Sequence, residues 1–204
     1  MNQEKINYDR LMMDEIESLN GERKSVLLHT CCGPCSSACI ERLKDYLNVT
    51  VYYYNPNIEP RDEYLKRKET QIGLLKELNI PFIDADYEND KYRDAVKGLE
   101  GEKEGGARCP VCFKLRLEKT ANVAKENNFD YFCTSLTVSP HKNSAIINLI
   151  GKSIGDSTGI KFLYSDFKKR DGYKRSIDLS KEYNLYRQDY CGCLFAKEMQ
   201  DNNE

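Results

Sequence analysis

The sequence predicts a three-layer α/β sandwich with a mainly parallel sheet. Short runs rich in Val, Ile and Tyr alternate along the chain with longer amphipathic segments. Those segments are long enough to form crossover helices, which place consecutive strands parallel. A chain of 204 residues that is 40% apolar can bury one core. We therefore expect a single domain over 1–204, with an N-terminal helical extension (1–23) and a C-terminal segment (165–204).

The elements follow in order. The extension carries a helix that ends at Leu19, before Asn20-Gly21, a typical helix stop. Strands are predicted at 25–30, 49–54, 82–85, 131–138 and 161–164. Helices are predicted at 34–47, 61–78, 91–99, 110–127 and 144–154. Pro34 suits a first helical turn, and the tyrosines at 52–54 are expected to pack within their strand.

Composition restricts the classes of function. The chain has no apolar run approaching the roughly 20 residues that span a bilayer, and no signal-like N-terminal stretch. We therefore expect a cytoplasmic protein without a membrane partner. Nine cysteines in a reducing compartment are unlike a structural disulfide framework, and the odd number agrees. Metal binding or redox catalysis becomes the leading class.

Seven of the cysteines form three tight groups: Cys31-Cys32-Gly-Pro-Cys35, Cys109-Pro-Val-Cys112 and Cys191-Gly-Cys193. The first group follows the first strand and precedes a helix, at the sheet edge where α/β proteins bind ligands. The second begins a helix, where the dipole favours thiolate. If the loop before Cys109 folds over that edge, four thiolates converge. Cys39 and Cys133 are expected to pack as buried apolar groups.

Three interpretations fit these spacings. Cys32-Gly-Pro-Cys35 between a strand and a helix matches a thioredoxin-like dithiol oxidoreductase, although the chain has no tryptophan and several further βα units follow. Cys32-x-x-Cys35 with Cys109-x-x-Cys112 has the spacing of a structural zinc site. The third is an iron–sulfur cluster held by four of these thiolates, with the last pair as a dithiol.

The Cys191-Gly-Cys193 pair has an unusual spacing. Two Cα atoms two residues apart are separated by at most about 7 Å, which is near the upper limit for a disulfide. Closure would form a tight ring in which Gly192 absorbs the bend. Strained bridges are easily reduced, so the pair suits an electron carrier that cycles during turnover.

The residues around these cysteines resemble the epoxyqueuosine reductase family called QueH. The blocks that carry the resemblance are His29-Thr-Cys-Cys-Gly-Pro-Cys35, Arg108-Cys-Pro-Val-Cys112, Arg175-Ser176, Leu179-Ser-Lys-Glu182 and Tyr186-Arg-Gln-Asp-Tyr-Cys-Gly-Cys193. They run in order from about Ser25 to Phe195, and the C-terminal block is the most specific.

The resemblance implies a site and a fold. Cys31, Cys32, Cys109 and Cys112 match the ligands of a [4Fe–4S] cluster, and Cys191 with Cys193 match a redox-active disulfide. Cys35 stands where it could help to bind an additional iron. The implied fold is Rossmann-like and similar to the adenine-nucleotide alpha-hydrolase/PP-loop group. Because Cys-Cys-Gly-Pro replaces the Ser-Gly-Gly phosphate loop of those ATPases, we expect no ATP binding.

The implied reaction is the reduction of epoxyqueuosine to queuosine at the wobble position 34 of tRNA, the last step of queuosine biosynthesis. The implied partners are tRNA carrying epoxyqueuosine and an electron donor that the sequence does not identify. The alternatives remain a zinc-stabilised tRNA-binding module and a thioredoxin-like oxidoreductase.

An RNA contact is expected along a basic stretch, because the net charge of −2 provides no general attraction. Residues 160–187 hold eight basic and four acidic residues. Lys168-Lys-Arg170 to Arg175 would contact phosphates, with Tyr186 and Tyr190 stacking on bases; a solvated helix face is the alternative. The candidate proton donors to the epoxide oxygen are His29, His141 and Asp189.

Overall fold

A computed structural model describes residues 6–201 of the chain. Within them the strands are β1 Ser25–His29, β2 Asn48–Tyr53, β3 Phe82–Asp84, β4 Tyr131–Thr134 and β5 Lys161–Phe162. The helices are α1 Tyr8–Ser18, α2 Gly33–Leu43, α3 Arg61–Leu78, α4 Asn89–Ala95, α5 Arg108–Glu126, α6 Ser144–Thr158, α7 Gly172–Glu182 and α8 Leu194–Asp201. The expected N-terminal and C-terminal segments extend past these residues, so 1–5 and 202–204 lie outside the described residues.

The sheet is parallel throughout, in the order β3-β2-β1-β4-β5. The predicted α/β class is therefore confirmed. β1 is the central strand: β2 and β3 lie on one side of it, and β4 and β5 lie on the other. A crevice consequently opens beyond the carboxyl ends of β1 and β4, where open α/β sheets bind ligands.

Two apolar clusters cover the two faces of the sheet. Because side chains alternate along a strand, Val26 and Leu28 of β1 join one cluster and Leu27 joins the other. The first cluster includes Met12 of α1 and Ile40 of α2. The second includes residues of α5 and α6, among them Leu117 and Ile147. These contacts form the three layers, and α1 packs within the first.

The main difference from the predicted elements concerns residues 131–138. The strand ends at Thr134, and Ser135–Val138 form a 3₁₀ helix. The Thr134 hydroxyl accepts a hydrogen bond from the amide of Leu136 at 3.2 Å, which favours a turn over an extended strand. The chain therefore bends beside the crevice, and the residues after β4 reach the same cavity as the residues after β1.

Candidate thiol site at the sheet edge

The first cysteine group is arranged by a local turn. Cys32 has an extended backbone (φ −173°, ψ 161°) and precedes α2, whose first turn contains Pro34. This turn brings the sulfurs of Cys31, Cys32 and Cys35 within 4.8 Å of one another. Among the described residues, these three side chains form the group of potential ligands close enough to share a metal ion. Cys35, which the predicted ligand set left out, therefore belongs to the same sulfur triangle.

The three thiols do not ionise alike. Hydrogen bonds with Cys32 and Cys35 hold the pKa of Cys31 well below its ordinary value. Burial raises the pKa of Cys32 to about 12, and interactions with the other two sulfurs raise the pKa of Cys35. Of the three, Cys31 thus loses its proton most readily, and a metal would displace the protons of the others.

The second and third groups lie together. Cys109 and Cys112 lie near the start of α5, and Cys112 packs in a small apolar cluster with Tyr92 and Cys193. Cys191 and Cys193 join Cys109 and Cys112 around a thiol pocket of about 20 Å³. Within residues 6–201, the two α5 cysteines therefore border the C-terminal pair and stand outside the 4.8 Å sulfur triangle.

A buried guanidinium lies between the two sets of sulfurs. Arg116 is almost fully buried and donates hydrogen bonds to Asn55 Oδ1 at 2.6 Å and to His29 Nε2 at 3.3 Å. Its Nη1 is 3.9 Å from the sulfur of Cys112, one helical turn earlier. No carboxylate of the described residues forms an ion pair with it, and the charges of Cys112, Cys31 and Cys191 raise its pKa against the effect of burial. Cysteine sulfurs, rather than a carboxylate of the described residues, therefore surround its charge.

A second cation, Lys142, borders the same sulfurs. Its side chain is only 12% exposed, and its Nζ lies 3.7 Å from Glu104 Oε1. Burial lowers its pKa, but Cys191, Cys31 and Glu104 outweigh that effect and raise it. Sequence reasoning missed both cations. The one local signal was the spacing of Cys112 and Arg116, which places them on one helix face.

The switch-point cavity is the space bordered by Cys31, Cys35, His141, Lys142, Asp189 and Cys191, among others. Its volume is about 330 Å³. Its walls come from the segments that follow β1 and β4 and from the C-terminal segment. A small-molecule group of ordinary ligand size fits such a space, and three of the predicted cysteines face it.

The candidate proton donors divide between the cavity and the core. His141 and Asp189 line the switch-point cavity. His29 is fully buried, and burial with the nearby Arg116 charge lowers its pKa to about 3. Its Nδ1 lies 2.9 Å from Thr134 Oγ1, and its Nε2 lies 3.0 Å from the Tyr54 carbonyl oxygen and 3.3 Å from Arg116 Nε. His29 is therefore a fixed member of the buried network behind the cavity.

The C-terminal pair is held by distant residues. The buried Arg67 of α3 donates to the carbonyls of Tyr190 and Cys191, each at 3.3 Å. Gln188 Nε2 donates to the sulfur of Cys32 at 3.0 Å, which joins this segment to the first group. Cys191 and Cys193 are free thiols here, and their disulfide stays a prediction.

Much of the basic stretch is neutralised within the fold. Lys168 pairs with Asp166, Arg170 pairs with Asp9 of α1, and Arg175 forms a two-pronged pair with Glu41 of α2. Lys169 and Lys174 are exposed, and neither forms an ion pair within residues 6–201. Between Lys168 and Arg175, these two lysines are therefore the ones most available to a phosphate backbone.

The two predicted stacking tyrosines are docked on α3. The Tyr186 hydroxyl donates to Glu63 at 2.9 Å, and Lys66 lies 3.6 Å from the centre of its ring. The Tyr190 hydroxyl donates to the Glu59 carbonyl at 2.6 Å, and its ring faces Arg67. Both tyrosines thus hold the C-terminal segment, and Tyr190 also borders the cavity.

Comparison with known proteins gives consistent matches. A family model described as "Epoxyqueuosine reductase QueH" matches residues 26–199. The protein of that name from Streptococcus pyogenes serotype M1 is 46% identical, over 97% of this chain and 80% of that protein. Those from Staphylococcus epidermidis and Haemophilus influenzae are 43% and 40% identical, over 96% and 94% of this chain and 87% and 78% of theirs.

Solved structures match the fold at low sequence identity. The U34-tRNA thiolase NcsA from Methanococcus maripaludis, described with its [4Fe-4S] cluster, has a TM-score of 0.59 and 15% identity, over 96% of this chain and 70% of that one. A protein from Methanocaldococcus jannaschii described as a predicted subunit of tRNA methyltransferase has a TM-score of 0.56 and 16% identity, over 89% of each chain. Among the described residues no helix is long and apolar enough to cross a membrane.

Proposed function

The chain belongs to the epoxyqueuosine reductase QueH family, and from this membership we propose that it reduces epoxyqueuosine at tRNA position 34 to queuosine. The family match over residues 26–199 carries the proposal, because it includes every cysteine of the three groups. The switch-point cavity supports it, since Cys31, Cys35 and Cys191 border a space that can hold the modified base. The protein is thus an oxidoreductase acting on tRNA.

The C-terminal dithiol can supply both electrons. Two S–H bonds and the two C–O bonds of the epoxide break, while one S–S bond and one C=C bond form. The oxygen leaves as water with the two thiol protons, so atoms and electrons balance. Cys191, which borders the cavity, and Cys193 behind it would be oxidised to the disulfide. A separate reductant must then restore the dithiol before the next turnover.

The thiol chemistry fits a bound iron–sulfur group. Three sulfurs lie within 4.8 Å of one another, and the buried Arg116 lacks a carboxylate partner in the described part of the chain. Cys31, Cys32, Cys109 and Cys112 would hold a [4Fe–4S] cluster, and Cys35 would be free to bind an additional iron. When bound, such a group supplies single-electron transfer and Lewis acidity. Arg116 and Lys142 would balance the negative charge of the thiolates.

Lys142 can act on the departing oxygen. Lys142 borders the cavity, and its interactions with Cys191, Cys31 and Glu104 keep its pKa raised. A protonated ammonium held there can donate a hydrogen bond to the oxygen as negative charge develops. His141 and Asp189 border the same cavity and remain the candidates for delivering a proton.

The test combines metal analysis with turnover. Protein purified without oxygen should contain iron and sulfide, and it should convert epoxyqueuosine in tRNA to queuosine, read by nucleoside mass spectrometry. Cys191→Ser and Cys193→Ser should each abolish turnover while leaving the bound iron unchanged. Colourless protein with one tightly held zinc and no turnover would instead support the zinc-stabilised tRNA-binding module.

Binding of tRNA is tested at Lys169 and Lys174, the two lysines between Lys168 and Arg175 that form no ion pair within residues 6–201. Replacing Lys169 and Lys174 by Gln should weaken binding and reduce the salt dependence of the affinity, by roughly 0.7 to 0.9 in log–log slope for each phosphate interaction that is removed. Lys152, which pairs with Asp156 on α6 away from the cavity, is the matched control. An unchanged slope in the double variant would indicate that the basic stretch is a solvated surface that does not bind tRNA.

A further inference from the structure

The two thiols of the C-terminal pair have different surroundings. Cys191 is partly exposed and borders both the switch-point cavity and the thiol pocket. Cys193 is only 6% exposed, and it borders the thiol pocket but not the switch-point cavity. It packs in the small cluster formed with Tyr92, Val96 and Cys112. One sulfur thus faces the space for substrate, and the other is turned into the protein.

A buried tyrosine contacts the inner sulfur. Tyr92 of α4 is 1% exposed, and its hydroxyl lies 3.0 Å from the sulfur of Cys193. A phenol is protonated at neutral pH, so the hydroxyl can donate to this sulfur. In the described residues this sulfur is the hydroxyl's hydrogen-bond partner, and a buried hydroxyl deprived of it would be left unsatisfied. The contact therefore favours the state in which Cys193 is a reduced acceptor.

The backbone of the pair is fixed separately from its sulfurs. Arg67 holds the carbonyls of Tyr190 and Cys191, and the Glu59 amide donates to the Gly192 carbonyl at 2.8 Å. Gly192 has φ +101°, and a Cβ there would lie 2.9 Å from Arg67 Nη1 and from Ile58 Cγ1. Three successive carbonyls are thus held by contacts that do not involve either sulfur.

We propose that Tyr92 is a positioning residue that holds Cys193 as the inner sulfur, so that Cys191 is the sulfur that meets the substrate and Cys193 closes the disulfide. This assignment rests on the proposed function, in which the pair provides two electrons to the epoxide. A disulfide sulfur is a weaker acceptor than the sulfur of a reduced cysteine, so the Tyr92 hydrogen bond stabilises the dithiol. Removing it shifts the pair toward the disulfide, by about fivefold in the equilibrium constant.

The order of reactivity is measured directly on the wild-type protein. Trypsin releases residues 188–197, which contain Cys191 and Cys193 and no other cysteine. Under brief iodoacetamide treatment of the reduced protein, Cys191 should be alkylated about tenfold faster than Cys193, as located by tandem mass spectrometry. Equal rates, or a faster Cys193, would overturn the assignment without any variant.

The variant Tyr92→Phe isolates the hydroxyl. It should bring the two alkylation rates closer and lower the dithiol/disulfide ratio of the same peptide about fivefold in a fixed glutathione buffer. Tyr131→Phe is the control, because it removes another buried tyrosine hydroxyl, bonded to Glu15 away from the pair. No change in Tyr92→Phe, or an equal change in Tyr131→Phe, would overturn the proposal.

These measurements need no tRNA, so they fail independently of the proposed function. If wild-type protein shows the asymmetry but does not reduce epoxyqueuosine, the reaction is wrong and the assignment of Tyr92 to Cys193 survives. If the wild type turns over but both sulfurs react alike, the reaction survives and the assignment is wrong.

Discussion

The first and the last cysteine groups border the same cavity but are held in different ways. Cys31 and Cys32 lie in the three residues between β1 and α2, and Cys35 follows Pro34 in the first turn of α2. The Cys191 and Cys193 pair is set by residues far away in sequence: Arg67 lies 124 residues from Cys191, and Tyr92 lies 101 residues from Cys193. A local turn holds the former, and long-range polar contacts hold the latter.

The difference matches what each group must do. A metal site needs its sulfurs held at fixed separations, and a strand end followed by a helix provides that rigidity. A dithiol that forms and breaks an S–S bond needs sulfurs that can move. The Arg67 side chain and the Glu59 amide, which we call the clamp, hold the pair through its backbone carbonyls and do not contact the sulfurs. Backbone contacts thus fix the position of the pair, and the Tyr92 hydrogen bond acts on the sulfur of Cys193.

The largest expected effect is on the locally formed group. Cys31→Ser should reduce the bound iron and sulfide about tenfold or more, because ligand changes act at least as strongly as changes in the residues that support ligands. Cys133→Ala is the matched control, since Cys133 is buried in the apolar core. Iron and sulfide analysis with visible absorbance is the measurement. Loss of metal in Cys133→Ala as well would indicate general unfolding.

The second effect is on the clamp. Arg67→Met leaves Glu63, paired with Arg67 at 2.6 Å and mostly buried, without its partner. Loss of such a pair costs about 3 kcal/mol, which lowers the Tm by roughly 6 to 12 °C in a chain of this size. Thermal unfolding measures it, and hydrogen exchange should show the 188–197 peptide opening first. A double variant with Glu63→Met separates the charge pair from the carbonyl contacts.

If Arg67→Met instead released iron while residues 188–197 stayed protected, the two groups would not be held independently. The contrast between a local and a long-range site would then be wrong. Cys31→Ser provides the reciprocal check, because it should leave the exchange of residues 188–197 unchanged.

The third effect separates backbone strain from contact with the clamp. Gly192→Ala places a Cβ against Arg67 and Ile58 at φ +101°, whereas Gly159→Ala imposes a positive φ of 79° with no atom within 4 Å. Each should lose about 1 to 2 kcal/mol from backbone strain. Only Gly192→Ala should also lower kcat, by about tenfold, with iron content unchanged. Equal kcat values in the two variants would show that the clamp does not affect catalysis.

The sequence predicted the local features of the molecule well. The alternation of apolar runs predicted the parallel sheet, and the sequence from strand to Gly33-Pro34 placed the first cysteines at its carboxyl edge. The strand predicted at 131–138 was too long. One side-chain hydrogen bond, from the Leu136 amide to Thr134, ends the strand there, and hydrophobic patterning does not detect such a bond.

The long-range features of the site could not be predicted. Nothing in local spacing shows which of the 31 basic residues are buried, so Arg67, Arg116 and Lys142 were missed. For the same reason, the sequence could not show that Arg170 and Arg175 find their carboxylates on α1 and α2. The tertiary fold alone pairs residues that are more than a hundred positions apart.

The smallest expected effect is at the edge of the clamp. Tyr190→Phe removes the hydrogen bond to the Glu59 carbonyl and keeps the ring beside Arg67 and Lys197. The loss of one partly buried hydrogen bond costs about 1 kcal/mol, so exchange of residues 188–197 should quicken about fivefold while kcat changes little. Tyr46→Phe is the control, because Tyr46 is 48% exposed.

If kcat fell as far in Tyr190→Phe as in Gly192→Ala, the tyrosine hydroxyl would be the contact that holds the pair for catalysis. If kcat changed little, the contacts to the backbone carbonyls would be the ones that hold the pair for catalysis. Arg67 and the Glu59 amide still hold all three carbonyls in Tyr190→Phe. The backbone contacts are the expected answer, since they remain in place whether the sulfurs are joined or free.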